Sequence, residues 1–138
     1  MEESIKHNMK KGDIFTHGFI VSEEIQQKFM ELFKDRNPLH IDASFAEARG
    51  FNGKVMHGNI LNGFLSFFIG ECLPVKNVII HTQLIKYYKP VYMNDHLTLF
   101  ANIEEVHESV NAIEFKYYFE NQNNIKVAKG KFQIGLLK

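Results

Sequence analysis

With 138 residues, 45% of them hydrophobic and 23% charged, the chain has the make-up of one globular domain that buries roughly two-thirds of its unfolded surface. Sixteen Lys and Arg balance sixteen Asp and Glu, so net charge gives no reason to expect nucleic acid or an anionic membrane as partner. The opening M-E-E-S-I-K-H lacks the apolar core and cleavage pattern of a secretory signal, and the single Cys72 excludes an internal disulfide, which sets the expectation of a cytoplasmic protein.

One domain is expected over 1–138, with a polar, fraying N-terminus at residues 1–11. Asp13 to Phe19 reads as a short strand. Ser22 is an N-cap with Glu23 and Glu24 in the first turn. Ile25, Phe29, Leu32 and Phe33 then recur at helical spacing, which predicts one apolar stripe on a helix of about 12 residues. Pro38 must end that helix, and K-D-R-N-P-L-H is expected to be irregular. Asp42 or Ser44 caps a short helix through Phe45, Ala46 and Ala48, ended by Gly50, and Asn52-Gly53 marks a turn.

The stretch His57 to Leu73 is the centre of the chain. It is apolar almost all round and too short to cross a bilayer, so it is expected as a helix buried in the core. Pro74 stops it. From Asn77 the period changes to 2, with strand candidates at Asn77–Lys89, His96–Val106, Val110–Asn121 and Ile125–Leu137. Short polar connections predict an antiparallel meander. The first of these strands is apolar on both faces, as expected when one face meets the core and the other a partner. Gly130 marks a bulge or a close approach. The whole reads as an α+β domain, an antiparallel sheet of about five strands curled round one helix.

Of the seven histidines, His7 and His17 are expected in solvent, and His81, His96 and His107 at surface or interface positions. No pair has zinc-ligand spacing, so no metal is expected. No phosphate loop or G-x-S-x-G elbow is present, and no cofactor is predicted. Tyr87, Tyr88, Tyr117 and Tyr118 alternate with lysines as ordinary sheet composition. Cys72 is expected in the core.

Two places carry chemistry. In Asp35-Arg36-Asn37-Pro38-Leu39-His40 a proline-forced turn can aim a carboxylate and an imidazole into one space, as proton transfer through a shared water requires. The same residues also suit a structural role, Asp35 capping a helix or pairing with Arg36 and His40 bonding to backbone. In Val55-Met56-His57-Gly58 the amide end of the central helix favours a developing oxyanion, with His57 read as a capping residue, more structural than catalytic.

D-R-N-P-L-H-I-D, followed by F-A, V-M-H-G-N-I-L, C-L-P and K-P-V-Y-M-N-D, resembles the MaoC-like hydratase family, in particular its (R)-specific enoyl-CoA hydratases, from Gly12 to the end. The resemblance implies the hotdog fold and a homodimer with its sites near the subunit interface. It implies Asp35 and His40 as the acid/base pair. Asn37, His57, Gly58 and Ser66 form the substrate-binding set, with Asn37 shaping the turn, the Gly58 amide receiving the thioester carbonyl and Ser66 as the active-site serine. The implied reaction is reversible hydration of trans-2-enoyl-CoA to (R)-3-hydroxyacyl-CoA. The alternatives are dehydration of 3-hydroxyacyl chains on acyl carrier protein, or a non-catalytic hotdog that binds acyl thioesters. Lys34, Arg36, Lys54 and Lys76 are candidate cations beside the entrance. Phe33 and Lys34 stand where the family prefers small residues, Arg36 where an apolar one is frequent, and Asn94 where glycine is usual.

Overall fold

The computed structural model describes residues 9–138. Strand β1 (Ile14–Ile20) leads directly into helix α1 (Glu23–Phe33). The Ser22 side chain caps that helix by accepting the Ile25 N–H at 3.2 Å, and Lys34 closes it in the left-handed region at φ 60. Two short helices follow, α2 (Pro38–Ile41) and α3 (Ala43–Glu47), then α4 (Asn59–Phe67), whose axis continues as a wider π-type turn over Phe68–Cys72. The remaining strands are β2 (Val78–Tyr87), β3 (His96–His107), β4 (Ala112–Glu120) and β5 (Lys126–Leu136).

The five strands form one antiparallel sheet in the order β1-β3-β4-β5-β2. It wraps α4, which is the hotdog arrangement. Period-2 patterning explains the wrapped face: Leu97, Leu99, Ala101 and Ile103 of β3 and Ile113, Phe115, Tyr117 and Phe119 of β4 are all buried. Phenylalanines fill the interior. Phe19 stacks on Phe64 of α4 at 4.4 Å, Phe115 stacks on Phe132 at 4.6 Å, and Phe68 meets Phe15 and Phe132 edge-on.

Four expectations need correction. The meander holds only for β3-β4-β5. Strand β2 pairs with β5, because β1 has taken the free edge of β3 and residues 88–95 carry the chain across, with the Met56 N–H donating to the Val91 carbonyl at 2.8 Å. The expected frayed start is packed from Met9 onward: Met9 is buried, and Gly12 donates to Ile103 of β3 at 2.9 Å (residues 1–8, with His7, lie outside the described residues). Pro38 does not merely end a helix but starts one, at the N1 position where its missing N–H costs nothing. Finally, α4 is not buried all round. Ile60, Leu61, Phe64 and Leu65 face the core, while Asn59, Gly63, Ser66 and Phe67 are exposed. Among the described residues no helix is long and apolar enough to cross a membrane.

Gly130 is a close-approach site, as expected. A Cβ there would fall on the Leu84 carbonyl of β2 and 2.7 Å from the Tyr117 hydroxyl, which donates to that same carbonyl at 2.8 Å. Burial, and then the neighbouring Tyr87, hold the Tyr117 hydroxyl well above the ordinary tyrosine range, so it remains a donor. Gly130→Ala is expected to push β2 off β5 and cost about 2–3 kcal/mol, as overpacking does, measured as a shift in the urea midpoint at constant slope; an unchanged midpoint would contradict the close fit.

Candidate active site

The site begins with local hydrogen bonds. The Asp35 side chain accepts the Asn37 N–H at 3.2 Å, an Asx turn, and the Asn37 side chain accepts the Leu39 N–H at 3.1 Å, capping α2. Asn37 is thus spent on the turn. One residue past the middle of α2, His40 is directed toward the segment before α4, where its Nδ1 lies 2.7 Å from the Val55 carbonyl. A carbonyl only accepts, so Nδ1 carries the hydrogen and the neutral ring keeps its lone pair on Nε2.

His57 is buried, with 2% of its surface exposed. Its ring lies between Phe29, centroid at 4.8 Å, and His40, centroid at 4.1 Å. Its Nδ1 is 3.1 Å from Oε1 of Gln26, and its Nε2 is 2.9 Å from the backbone carbonyl of Asp35 and 3.9 Å from an Asp35 carboxylate oxygen. The Gln26 orientation follows from its other end, where Nε2 donates to the His40 carbonyl at 3.1 Å. One glutamine therefore holds the backbone of His40 and the ring of His57 together, and His57 in turn holds Asp35.

These residues share a cavity of about 530 Å³, lined by Asp35, His40, His57, Gly58 and Tyr87 among others. Gly58 starts α4 with helical backbone angles and no side-chain cap, so its N–H belongs to the unsatisfied first turn. The residue must be glycine, because a Cβ would come within 2.9 Å of the Tyr87 ring. Burial raises the Tyr87 hydroxyl above its ordinary value. A second, apolar groove of about 800 Å³ runs between α1 and α4 and shares Phe29, Asp35 and Asn59 with the first.

Of the expected site residues, the structure thus brings Asp35, His40, His57 and Gly58 into one cavity, with Asn37 shaping the turn. It does not bring Ser66. That residue is exposed on α4 and lines neither hollow, because eight residues of helix carry it roughly 12 Å beyond the Gly58 amide. The expected apolar stripe of α1 is also corrected: Leu32 and Phe33 are 74% and 69% exposed, while Gln26 is the buried residue of that helix. Gln26 and Tyr87 are the site residues that sequence reasoning missed. A glutamine at i−3 to Phe29, on an inward helix face, was the available signal for the first.

Asp35, His40 and His57 each offer a donor atom within 4.8 Å of the others. This is a cluster that spacing along the chain did not reveal. As a ligand set it fits poorly, since both His57 nitrogens already face protein oxygens and Nδ1 of His40 faces Val55. Two further histidines differ from expectation or refine it. His17 is half-buried, 3.7 Å from Sγ of Cys72, whose thiol burial pushes up, and His107 sits 2.7 Å from Glu114 on the surface.

The profile of the family described as a MaoC like domain matches residues 12–124. The mitochondrial 3-hydroxyacyl-[acyl-carrier-protein] dehydratase of Arabidopsis thaliana is 25% identical over 126 residues, 89% of this chain and 75% of its own length. The (R)-specific enoyl-CoA hydratase of Aeromonas caviae is 32% identical over 80 residues, which span 58% of this chain and only 60% of that relative. In structure, R-hydratase PhaJ1 of Pseudomonas aeruginosa superposes with a TM-score of 0.86 at 24% identity, covering 96% of this chain and 84% of the other.

Gln26→Leu, similar in volume, leaves the His57 Nδ1 and the His40 carbonyl without their partner. It is expected to cost about 1–3 kcal/mol of stability, the penalty for buried unpaired polar groups, read from chemical denaturation; a neutral result would show the network to be incidental.

Proposed function

The chain belongs to the MaoC-like domain family, and from that membership we propose that it is a hydro-lyase acting on acyl thioesters. It adds water across a trans-2-enoyl-CoA to give (R)-3-hydroxyacyl-CoA and runs the reverse dehydration with the same groups. The observation that carries this reading is the meeting of the Asp35 carboxylate and the His40 ring within 4.8 Å, in the cavity that opens on the first amide of α4. One water hydrogen-bonded to two groups bridges roughly 4.5–5 Å, a span that suits one water shared by the pair.

The chemistry follows from the tautomer. With its Nδ1 hydrogen committed to Val55, His40 presents the Nε2 lone pair to the water and takes a proton as the oxygen bonds to C3. The π electrons move onto the thioester oxygen, where the Gly58 N–H and the positive end of α4 stabilise them. When they return, the proton removed from the water is delivered to C2. Hydroxyl and proton arrive from one side, which makes the addition syn. The (R) configuration rests on the family resemblance. The groove between α1 and α4 meets the cavity at Asp35 and gives the acyl chain an apolar course.

We also assign a homodimer. Strand β2 is the sheet edge, with Ile79, Ile80 and Leu84 exposed, and the open stripe of α4 lies on the same unfinished side. A second reading, dehydration on acyl carrier protein, is favoured by the length of the match to the Arabidopsis relative. Parallel assays on CoA-bound and carrier-bound substrates separate the two.

General acid–base assistance contributes about 10²–10⁴ in rate. Asp35→Asn and His40→Ala are therefore each expected to lower kcat for enoyl-CoA hydration at least ~100-fold, with an unchanged circular dichroism spectrum. Near wild-type turnover in either variant would remove the mechanism.

A further inference from the structure

The outer face of the sheet, away from α4, carries a concentration of positive charge. Strands β2, β4 and β5 gather Lys86, Lys116, Lys126, Lys129 and Lys131 around a groove of about 410 Å³, in a chain whose net charge is zero. The strand register makes the arrangement costly. Lys116 stands directly opposite Lys131, and Lys86 directly opposite Lys129; like charges facing across a ladder destabilise it. The first pair is relieved by Glu104, which lies 3.2 Å from Lys116 and 3.8 Å from Lys131. The second pair has no carboxylate within ion-pair reach among the described residues.

Instead, Lys86 and Lys129 flank an aromatic ring, with their ammonium groups 5.3 and 5.2 Å from the centre of Tyr88. Tyr88 belongs to both hollows: it lines this groove and also the cavity that holds Asp35 and His40. Of the cations expected near the entrance, Lys76 is engaged elsewhere, turned back onto the carbonyls of Gly70 and Glu71. An uncompensated lysine pair and an aromatic face therefore coincide at Tyr88, a residue that also lines the cavity of the reacting centre.

We propose that this groove seats the phosphate-bearing adenosine end of the CoA thioester, a proposal that rests on the hydratase reading for its choice of thioester. Lys86 and Lys129 take phosphate oxygens, Tyr88 lies against the purine, and the anion supplies to this lysine pair what Glu104 supplies to the other. A concave groove with a tyrosine wall suits a nucleotide better than the convex acidic helix of a carrier protein.

The test pairs a binding measurement with a kinetic one on the full chain and on the Lys86→Gln/Lys129→Gln double variant. Adenosine 3′,5′-bisphosphate, titrated calorimetrically, is expected to bind the wild type and to bind the variant about tenfold more weakly. KM for enoyl-CoA is expected to rise by a similar factor, while kcat and the kinetics of the N-acetylcysteamine thioester, which lacks the nucleotide, stay unchanged. Thermal stability is not expected to fall, because a repulsive pair has been removed. Bisphosphate that fails to bind the wild type, or binds both proteins equally, overturns the assignment even if hydration proceeds normally. So does a defect confined to carrier-bound substrates. Weakened bisphosphate binding without any hydratase activity in the wild type leaves the nucleotide seat standing and removes the hydratase reading instead.

Discussion

The buried imidazole of His57 ties together parts of the chain that nothing else joins. One nitrogen meets Gln26 of α1 and the other meets the backbone of Asp35, while the ring face supports His40. Gln26 closes the loop by holding the His40 carbonyl. Both His57 nitrogens face acceptor oxygens, so the two contacts stand together as hydrogen bonds only when both ring nitrogens carry hydrogen. The geometry of the two groups assigned to proton transfer is therefore set mainly by residues assigned no chemistry. Asp35 gives Oδ1 to the Asn37 N–H and its backbone carbonyl to the His57 ring, and it lines the cavity.

The placement of this network explains why the reacting groups sit at a border. The sheet seals the aromatic core from one side, and α4 presents its amide end where the sheet stops. On the far side the single chain leaves apolar surface open to solvent. Leu32, Phe33, the open stripe of α4 and the β2 edge are all uncovered, at a loss of hydrophobic stabilisation that a lone domain has no reason to accept. The same β2 strand that carries this apolar edge also carries Lys86 and leads into Tyr88. One strand thus links the proposed dimer edge, the proposed nucleotide seat and the cavity.

Much of this was legible in the sequence, and the failures have identifiable causes. Period-2 runs placed β3 and β4 almost residue for residue, because one face of each is fully buried. The D-x-N-P-x-H turn was readable because each residue has a local job: Asp35 bonds the Asn37 amide, Asn37 caps α2, and Pro38 occupies N1. The order of the strands was not readable, since local patterning says nothing about which edge β2 joins. Leu32 and Phe33 misled because apolar residues facing a groove and apolar residues facing a core have the same spacing. Gln26 escaped because its importance lies in contacts with residues 14 and 31 positions away. Ser66 lies two turns into α4, as its place in the sequence implies, on the exposed stripe of that helix. Lys34, where the family resemblance leads one to expect a small residue, takes a left-handed conformation at φ 60, a region that a residue without a Cβ enters at least cost.

The central claim is that one water, held between Asp35 and His40, supplies both the hydroxyl and the proton from one face of the substrate. It is tested most directly by hydrating crotonyl-CoA in deuterium oxide and determining both new stereocentres of the product by NMR and chiral chromatography. The account predicts (3R)-hydroxybutyryl-CoA with a single deuterium at C2, added on the same side as the hydroxyl. Deuterium on the side opposite the hydroxyl would contradict it.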